Sequence, residues 1–244
     1  MDILGFSEIV RNSVSSPKQA RELIDILNNI SNIRQEFVGE HAVEDDDFKA
    51  QSFSDCFVLS ENASPRGLLH ILAASGILAL NLLSNGIFAR GGVAKGKLYH
   101  SDKVAFGPAP LDAYRLESTI AKYPRVLVDR AVHADYTDPQ YAVAASDYRA
   151  IPKLKFDLDG PPFLDILEAI REAGPDRADD IEGCRGGIQK ALEASVYEPQ
   201  HFEKVNTPPP KGGGFRLRLE AGLIDPSGRP VQTTLKLSSG SSGF

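Results

Sequence analysis

The stretch "FKAQSFSDCFVLS", residues 48–60, decides the fold. Its two short runs, "FKAQSF" and "CFVLS", are alternating or continuously apolar. They flank Ser54-Asp55, so the segment reads as a β-hairpin with those two residues at the bend. Upstream, "MDILGFSEIV" (residues 1–10) carries Asp2 into an apolar turn with a glycine, where Ser7 caps a short helix. Pro17 suits the first turn of a longer helix, along which Ala20, Leu23, Ile24, Leu27 and Ile30 recur at helical spacing. The four acids Glu44 to Asp47 read as a solvated loop before the hairpin.

Downstream, a helix from Pro65 to Ser84 stops at Asn85-Gly86. "IFARGGVAKGKLYH" (residues 87–100) is strand-like but glycine-rich, which points to close backbone approach. "KVAF" is a short strand broken by Gly107-Pro108. Pro110 begins a helix with Ala113, Leu116 and Ile120 on one face, and "RVLV" returns as a strand. Helices alternating with mostly antiparallel strands predict an α+β sheet covered on one face, of the split β-α-β type. Beyond residue 130, "FLDILEAIREAG" and "IEGCRGGIQKALEAS" read as two more helices. The expected organisation is a domain over residues 1–200, with a core at 1–130 and a helical extension at 131–200. A Pro/Gly/Ser-rich tail of low order follows at 201–244.

The totals narrow the classes. The 244 residues are 42% hydrophobic and 25% charged, with net charge −6, a mildly acidic balance that argues against a nucleic-acid binder. Cys56 and Cys184 form no CxxC pair and the N-terminus does not read as a signal peptide, so a reducing cytoplasm is expected. Leu68–Leu83 is interrupted by His70, Ser75, Gly76 and Asn81, so it reads as a buried helix rather than a membrane span. The five histidines lack ligand spacing for zinc, and no G-x-S-x-G or Cys/His pattern supports a covalent nucleophile. "RGGVAKG" lacks P-loop spacing, which leaves Lys95 as a solvated charge.

Three pieces can carry chemistry together. Asp2 precedes Gly5-Phe6-Ser7, where exposed N–H groups of a helix start attract phosphate oxygens. Asp55 sits on the tight hairpin. If the first strand lies beside that hairpin, the two carboxylates become neighbours whose repulsion a hard cation relieves. Arg115, in "FGPAPLDAYRLES", offers a planar fork for a phosphate gaining charge. Each has a bland alternative: a charged terminus, a turn acid bonding its own backbone, and an arginine paired with Asp112 or Glu117.

"DILGFS", "FSDCFVLS" and "FGPAPLDAYRLES", in that order over roughly residues 1–130, resemble the class III nucleotidyl cyclase catalytic domain. "RGGVAKGKLYH", "FGP" and "YPR" are similar to phrases of the bacterial pyrimidine cyclases of antiphage defence. The resemblance implies a ferredoxin-like core working as a head-to-tail homodimer. Asp2 and Asp55, with the backbone carbonyl of Ile3, would hold two divalent cations, Mn²⁺ or Mg²⁺. Leu4, Gly5, Phe6 and Ser7 would bind the triphosphate, and Arg115 from the partner subunit would stabilise the pentavalent phosphate. The product would be a cyclic-nucleotide signal read by a separate effector.

Departures from the pattern bear on the substrate. Four residues before Arg115 the family has the Asn that orients the ribose; here it is Leu111, which leaves Asp112 or Tyr114 for that role. At the base-reading positions stand Gln51 and Val104, one amide and one apolar side chain. That pair suits a pyrimidine better than a purine edge; a rotatable amide satisfies UTP and CTP alike, so both stay open, with UTP taken first. The rival readings are a non-catalytic cyclase-like nucleotide-binding module and a cyclase making cAMP or cGMP.

Overall fold

The computed structural model describes residues 1–14, 16–31, 47–101, 103–146, 153–157, 160–168 and 178–195, and four two-residue strands between 217 and 237. The strands are β1 (Asp2–Ile3), β2 (Lys49–Phe53), β3 (Cys56–Ser60), β4 (Ala89–Val93), β5 (Tyr99–His100), β6 (Ala105–Phe106), β7 (Val126–Val128), β8 (Lys153–Lys155) and β9 (Phe163–Asp165). The helices are α1 (Phe6–Val14), α2 (Pro17–Ser31), α3 (Pro65–Ser84), α4 (Pro108–Arg115), α5 (Arg130–Tyr136), α6 (Pro139–Ala145) and α7 (Ala178–Ser195).

Among the described residues seven strands form one sheet in the order β2-β3-β1-β4-β7-β9-β8, and only its β4–β7 pair is parallel. The expected α+β class with a mostly antiparallel sheet is what the chain adopts. The hairpin β2–β3 turns at Ser54-Asp55, as the sequence predicts. From β1 the chain crosses through α1 and α2 to β2, leaving room for β3. From β3 it crosses through α3 to β4, leaving room for β1. The result is two interleaved split β-α-β units with β1 at their centre.

The core forms where α3 lies on the sheet. Ser64 caps this helix, its hydroxyl accepting from Gly67 N–H at 2.9 Å, and Pro65 occupies the first turn. The chain leaves the helix at Asn85-Gly86, where Gly86 takes φ +77°. Leu69, Leu72, Ala74, Leu78 and Leu82 are fully buried. They meet Ile3, Phe57 and Ala89 at one end and Val93, Val126, Val128 and Leu164 at the other. By length and composition this helix of 20 residues could cross a bilayer, with a mean hydropathy of 1.8. Its apolar side chains are spent instead on the sheet, as in a core helix.

Several expectations need correction. Helices cover both faces of the sheet, not one. Leu127, facing opposite to Val126 and Val128, joins Leu116, Ala121 and Phe163 on the second face. There α4 approaches so closely that a Cβ on Gly92 would stand 2.3 Å from the Ala113 carbonyl oxygen. That helix starts at Pro108 rather than Pro110, and Leu116–Ile120 continues it as a π-helical turn closed by Ala121 N–H to Leu116 C=O at 2.8 Å. Helix α1 begins at Phe6, so Ser7 lies inside its first turn instead of capping it. On α2, Leu23 is buried but Ile24 is 55% exposed, while the Ile30 side chain lies outside the described residues.

The stretch "FLDILEAIREAG" opens as strand β9, because Phe163 and Leu164 are drawn into the sheet core; residues 169–174 lie outside the described residues. The region 131–200 is therefore part strand. Helix α7 forms as expected and crosses α3 at Gly187, where a Cβ would fall 1.9 Å from the Leu83 carbonyl oxygen. In the tail, Leu217–Arg218 pairs with Lys236–Leu237, and Leu223–Ile224 with Pro230–Val231. Residues 44–46, 201–216 and the final "SSGSSG" lie outside the described residues, while Asp47 is exposed.

Candidate active site

Short as it is, β1 is pinned from both sides. Ile3 N–H donates to Asp55 C=O at 2.9 Å, Phe57 N–H to Met1 C=O at 2.7 Å, and Leu4 N–H to Phe88 C=O at 2.8 Å. Strand alternation then sends Ile3 into the α3 core and Asp2 to the second face. Across the ladder Asp2 stands opposite Cys56 on one side and Arg90 on the other. Ser54 takes φ 56°, the positive first angle of a II′ turn, which tightens the bend and holds Asp55 beside the end of β1. Among the described residues, the Asp55 carboxylate makes no bond to neighbouring backbone, so the turn-acid alternative is not realised.

The two carboxylates feel each other. Burial pushes the Asp2 carboxyl above the ordinary range, the charge of Asp55 adds to that rise, and the Arg90 guanidinium opposes it. One turn further on, Gly5 takes φ +73° and its carbonyl accepts from Glu8 and Ile9 N–H at 3.0 and 3.1 Å, which opens α1. Leu4, Gly5, Phe6 and Ser7 thus form the start of a nine-residue helix a few residues from Asp2, with Gly5 and Ser7 exposed. This end of α1 carries the partial positive charge of the helix dipole.

Two residues of this face escaped the sequence reading. Arg90 Nη2 lies 2.7 Å from Glu117 Oε1 and 3.5 Å from Asp2 Oδ2, while its Nη1 donates to Ala121 C=O at 3.4 Å. The Glu117 contact is a close ion pair without the alignment of a hydrogen bond, since Oε1 has no hydrogen-bond partner. Glu117 is 6% exposed; burial raises its carboxyl pKa, and Arg90 opposes the rise. Strand alternation on β4 could have put Arg90 on the face of Asp2 had the register been known. Nothing in "LES" flags Glu117.

A cavity of about 420 Å³ opens beside the carboxylates, and Asp2, Asp55, Ser60, Lys95, Tyr114 and Glu117 are among its walls. The volume is in the range of small-molecule sites. Lys95, read from sequence as solvated, is tied to Asp135 at 2.6 Å, and its N–H donates to Asp129 at 3.1 Å.

Of Arg115, Asp112, Tyr114, Gln51 and Val104, only Tyr114 touches the cavity. Arg115 is exposed at the end of α4 and has no ion pair among the described residues; Glu117, its suggested partner, is taken by Arg90. Leu111 and Asp112 are exposed, and Tyr114 is 65% exposed while touching the cavity. Gln51 is half-buried in β2 opposite Val58, Val104 is exposed before β6, and neither lines the cavity. Around Arg115 an apolar patch collects: Tyr99, Val104 and Phe106 on the β5–β6 hairpin, and Leu111 and Tyr114 on α4, all large and exposed. The two elements adjoin, since Ala109 N–H donates to Lys97 C=O at 3.3 Å, and the Tyr99 and Phe106 rings lie 5.2 Å apart.

Among the described residues no three His, Cys, Asp or Glu side chains gather as a metal cage. The pair Asp2 and Asp55 still suits Mg²⁺ or Mn²⁺, which take one or two carboxylates and complete their shell with water and substrate phosphates. No protein-family model, curated protein or solved structure matches this chain.

Proposed function

We propose that this chain is a homodimeric class III nucleotidyl cyclase acting on a pyrimidine nucleoside triphosphate, UTP ahead of CTP. The observation that carries the reading is the register of β1. It brings Asp2 and Asp55, 53 positions apart in sequence, together at one end of the β1–β3 ladder beside the start of α1. A ferredoxin-like cyclase core accounts for the strand order β2-β3-β1-β4 with its two split crossovers.

In the reaction the ribose 3′-oxygen forms a bond to the α-phosphorus, the bond from that phosphorus to the β-bridging oxygen breaks, and the 3′-proton and pyrophosphate leave. Bound divalent cations supply acidity at the 3′-hydroxyl and charge neutralisation at the phosphates. Asp2 and Asp55 hold those cations, assisted by the Ile3 carbonyl. The N–H groups at the start of α1, from Gly5 to Ser7, donate to triphosphate oxygens, whereas the expected Leu4 N–H is already held by Phe88 C=O. Arg115 meets the charge developing on the α-phosphate from the partner subunit. Its exposure and its lack of an ion pair among the described residues support that role, and the adjoining apolar patch supports a second copy there. Gln51 and Val104 read the base, and Asp112 or Tyr114 orients the ribose in place of the missing Asn. The cyclic monophosphate then serves as an antiphage signal for a separate effector in the cytoplasm.

One observation favours a second reading, a catalytically degenerate nucleotide-binding module. Arg90 already partners Asp2 where a cation would, and Leu111 stands where the ribose-orienting Asn is missing. A single assay separates the two. Purified protein is incubated with each of the four NTPs and Mn²⁺ or Mg²⁺, and cyclic products are resolved by mass spectrometry. Cyclic UMP, lost in Asp55→Ala, is expected. A folded dimer that makes no cyclic nucleotide from any NTP sinks the enzyme reading, and product from ATP or GTP alone moves the assignment to a purine cyclase.

A further inference from the structure

The Asp2 carboxylate does not face a cation site alone. It faces Arg90 across the β1–β4 ladder, and Arg90 lies closer to Glu117 than to Asp2. Three elements meet at that guanidinium: β1 through Asp2, β4 through Arg90 itself, and the π-helical turn through Glu117 and, just beyond it, the Ala121 carbonyl. The guanidinium is a planar, permanently charged fork that can lean on either carboxylate without losing its own counter-charge. Glu117 is buried and lines the cavity together with Asp2 and Asp55, so a charge on it is screened little by water.

We infer that Arg90 is the built-in counter-ion of this site, divided between Asp2 and Glu117, and that the division sets how tightly the Asp2–Asp55 pair takes a divalent cation. This rests on the proposed cation role of Asp2 and Asp55 and adds a residue pair that the role does not require. Without a cation, Arg90 relieves the repulsion between Asp2 and Asp55. With a cation bound, Arg90 would give its charge fully to Glu117, leaving the Asp2 carboxylate to hold the cation. Glu117 is thus a positioning residue acting through Arg90: it draws the competing positive charge off the binding carboxylate.

A double-mutant cycle read by Mn²⁺ binding, followed by electron paramagnetic resonance on the full chain without nucleotide, tests this. Arg90→Gln removes the competitor and is expected to tighten Mn²⁺ binding about five- to tenfold, the scale of one opposite charge nearby. Glu117→Gln leaves Arg90 wholly on Asp2 and is expected to weaken binding by a similar factor. In the Arg90→Gln background the same Glu117→Gln change is expected to alter affinity less than about twofold, because its effect runs through Arg90. A simple sum of local charges would let Glu117→Gln weaken binding equally in both backgrounds, and that additivity overturns the inference. So does a shift of both single variants in the same direction. If one single variant does not fold, judged by circular dichroism, the sign of the other decides. Asp55→Ala is the control on the underlying reading: if it binds Mn²⁺ as tightly as the parent, the cation is not at this pair, and both the reading and the inference fall.

Discussion

Asp2 on β1 and Glu117 on the π-helical turn share one half-buried guanidinium, and burial raises the pKa of both carboxyls. The consequence for stability has a definite sign. In the unfolded chain these groups release protons at their ordinary values, 3.8 for Asp and 4.5 for Glu; in the folded chain they hold them to higher pH. Stability therefore falls as pH rises from the ordinary values to the raised folded ones, since the folded state binds more protons there. Urea denaturation from pH 3.5 upward, with chelator present, is expected to give a shallower decline for Glu117→Gln than for the parent. Equal slopes would show that Glu117 ionises in the fold as it does in the open chain. At this scale the sequence was half-legible. Asp2 and Asp55 could be picked out as acids at a turn and a bend, because tight turns constrain where a side chain goes. Arg90 and Glu117 could not, because only the register of β1 against β4 and the depth of the π-helical turn bring them to Asp2.

The elements that carry their own start and stop signals are the ones the sequence reveals. Helix α3 has Ser64 at its cap, Pro65 in its first turn and Asn85-Gly86 at its end, and each signal acts within four residues. Ser64→Ala is expected to lower stability by about 1 kcal/mol, read from the shift of the urea midpoint, with the sheet intact. Strand β9 lacks such signals. "FLDILEAI" has helical spacing, and what makes its first three residues a strand is pairing with β7 and β8 together with burial of Phe163 and Leu164. Gly92 marks the tightest approach between elements on the second face. A Cβ there meets the Ala113 carbonyl at 2.3 Å and Leu116 Cβ at 2.8 Å, both on rigid structure. Gly92→Ala is accordingly expected to cost about 1–3 kcal/mol of overpacking and to lift α4 and the π-helical turn. Its cost should exceed that of Gly91→Ala, whose new methyl meets chiefly Met1 Cγ, on an unbranched side chain rather than on backbone. Equal midpoints for the two variants would mean that α4 moves freely over the sheet.

At the scale of the whole molecule, Asp2 and Asp55 line the cavity, whereas Arg115 does not and is exposed at the end of α4 with an apolar patch beside it. In the proposed homodimer the arginine of one copy would meet the carboxylates of the other, since in a two-fold pair each surface faces its opposite on the second copy. Leu111, 70% exposed on α4, is a direct probe of that pairing. Leu111→Glu puts a charge at the patch without touching the core, so sedimentation should show a monomer whose melting temperature, extrapolated to low concentration, matches the parent. The pairing also makes a stoichiometric prediction. Asp55→Ala and Arg115→Ala chains are each expected to be inactive alone. When the two are unfolded and refolded together at equal amounts, half the dimers are mixed, and each mixed dimer has one site with both Asp55 and Arg115. About a quarter of the parent activity should then return, on the counting that a two-fold dimer with shared sites imposes. No recovery in mixed dimers would place Arg115 and Asp55 in the same chain's site or remove Arg115 from the chemistry. Recovery near a quarter ties the exposed arginine of one copy to the carboxylates of the other.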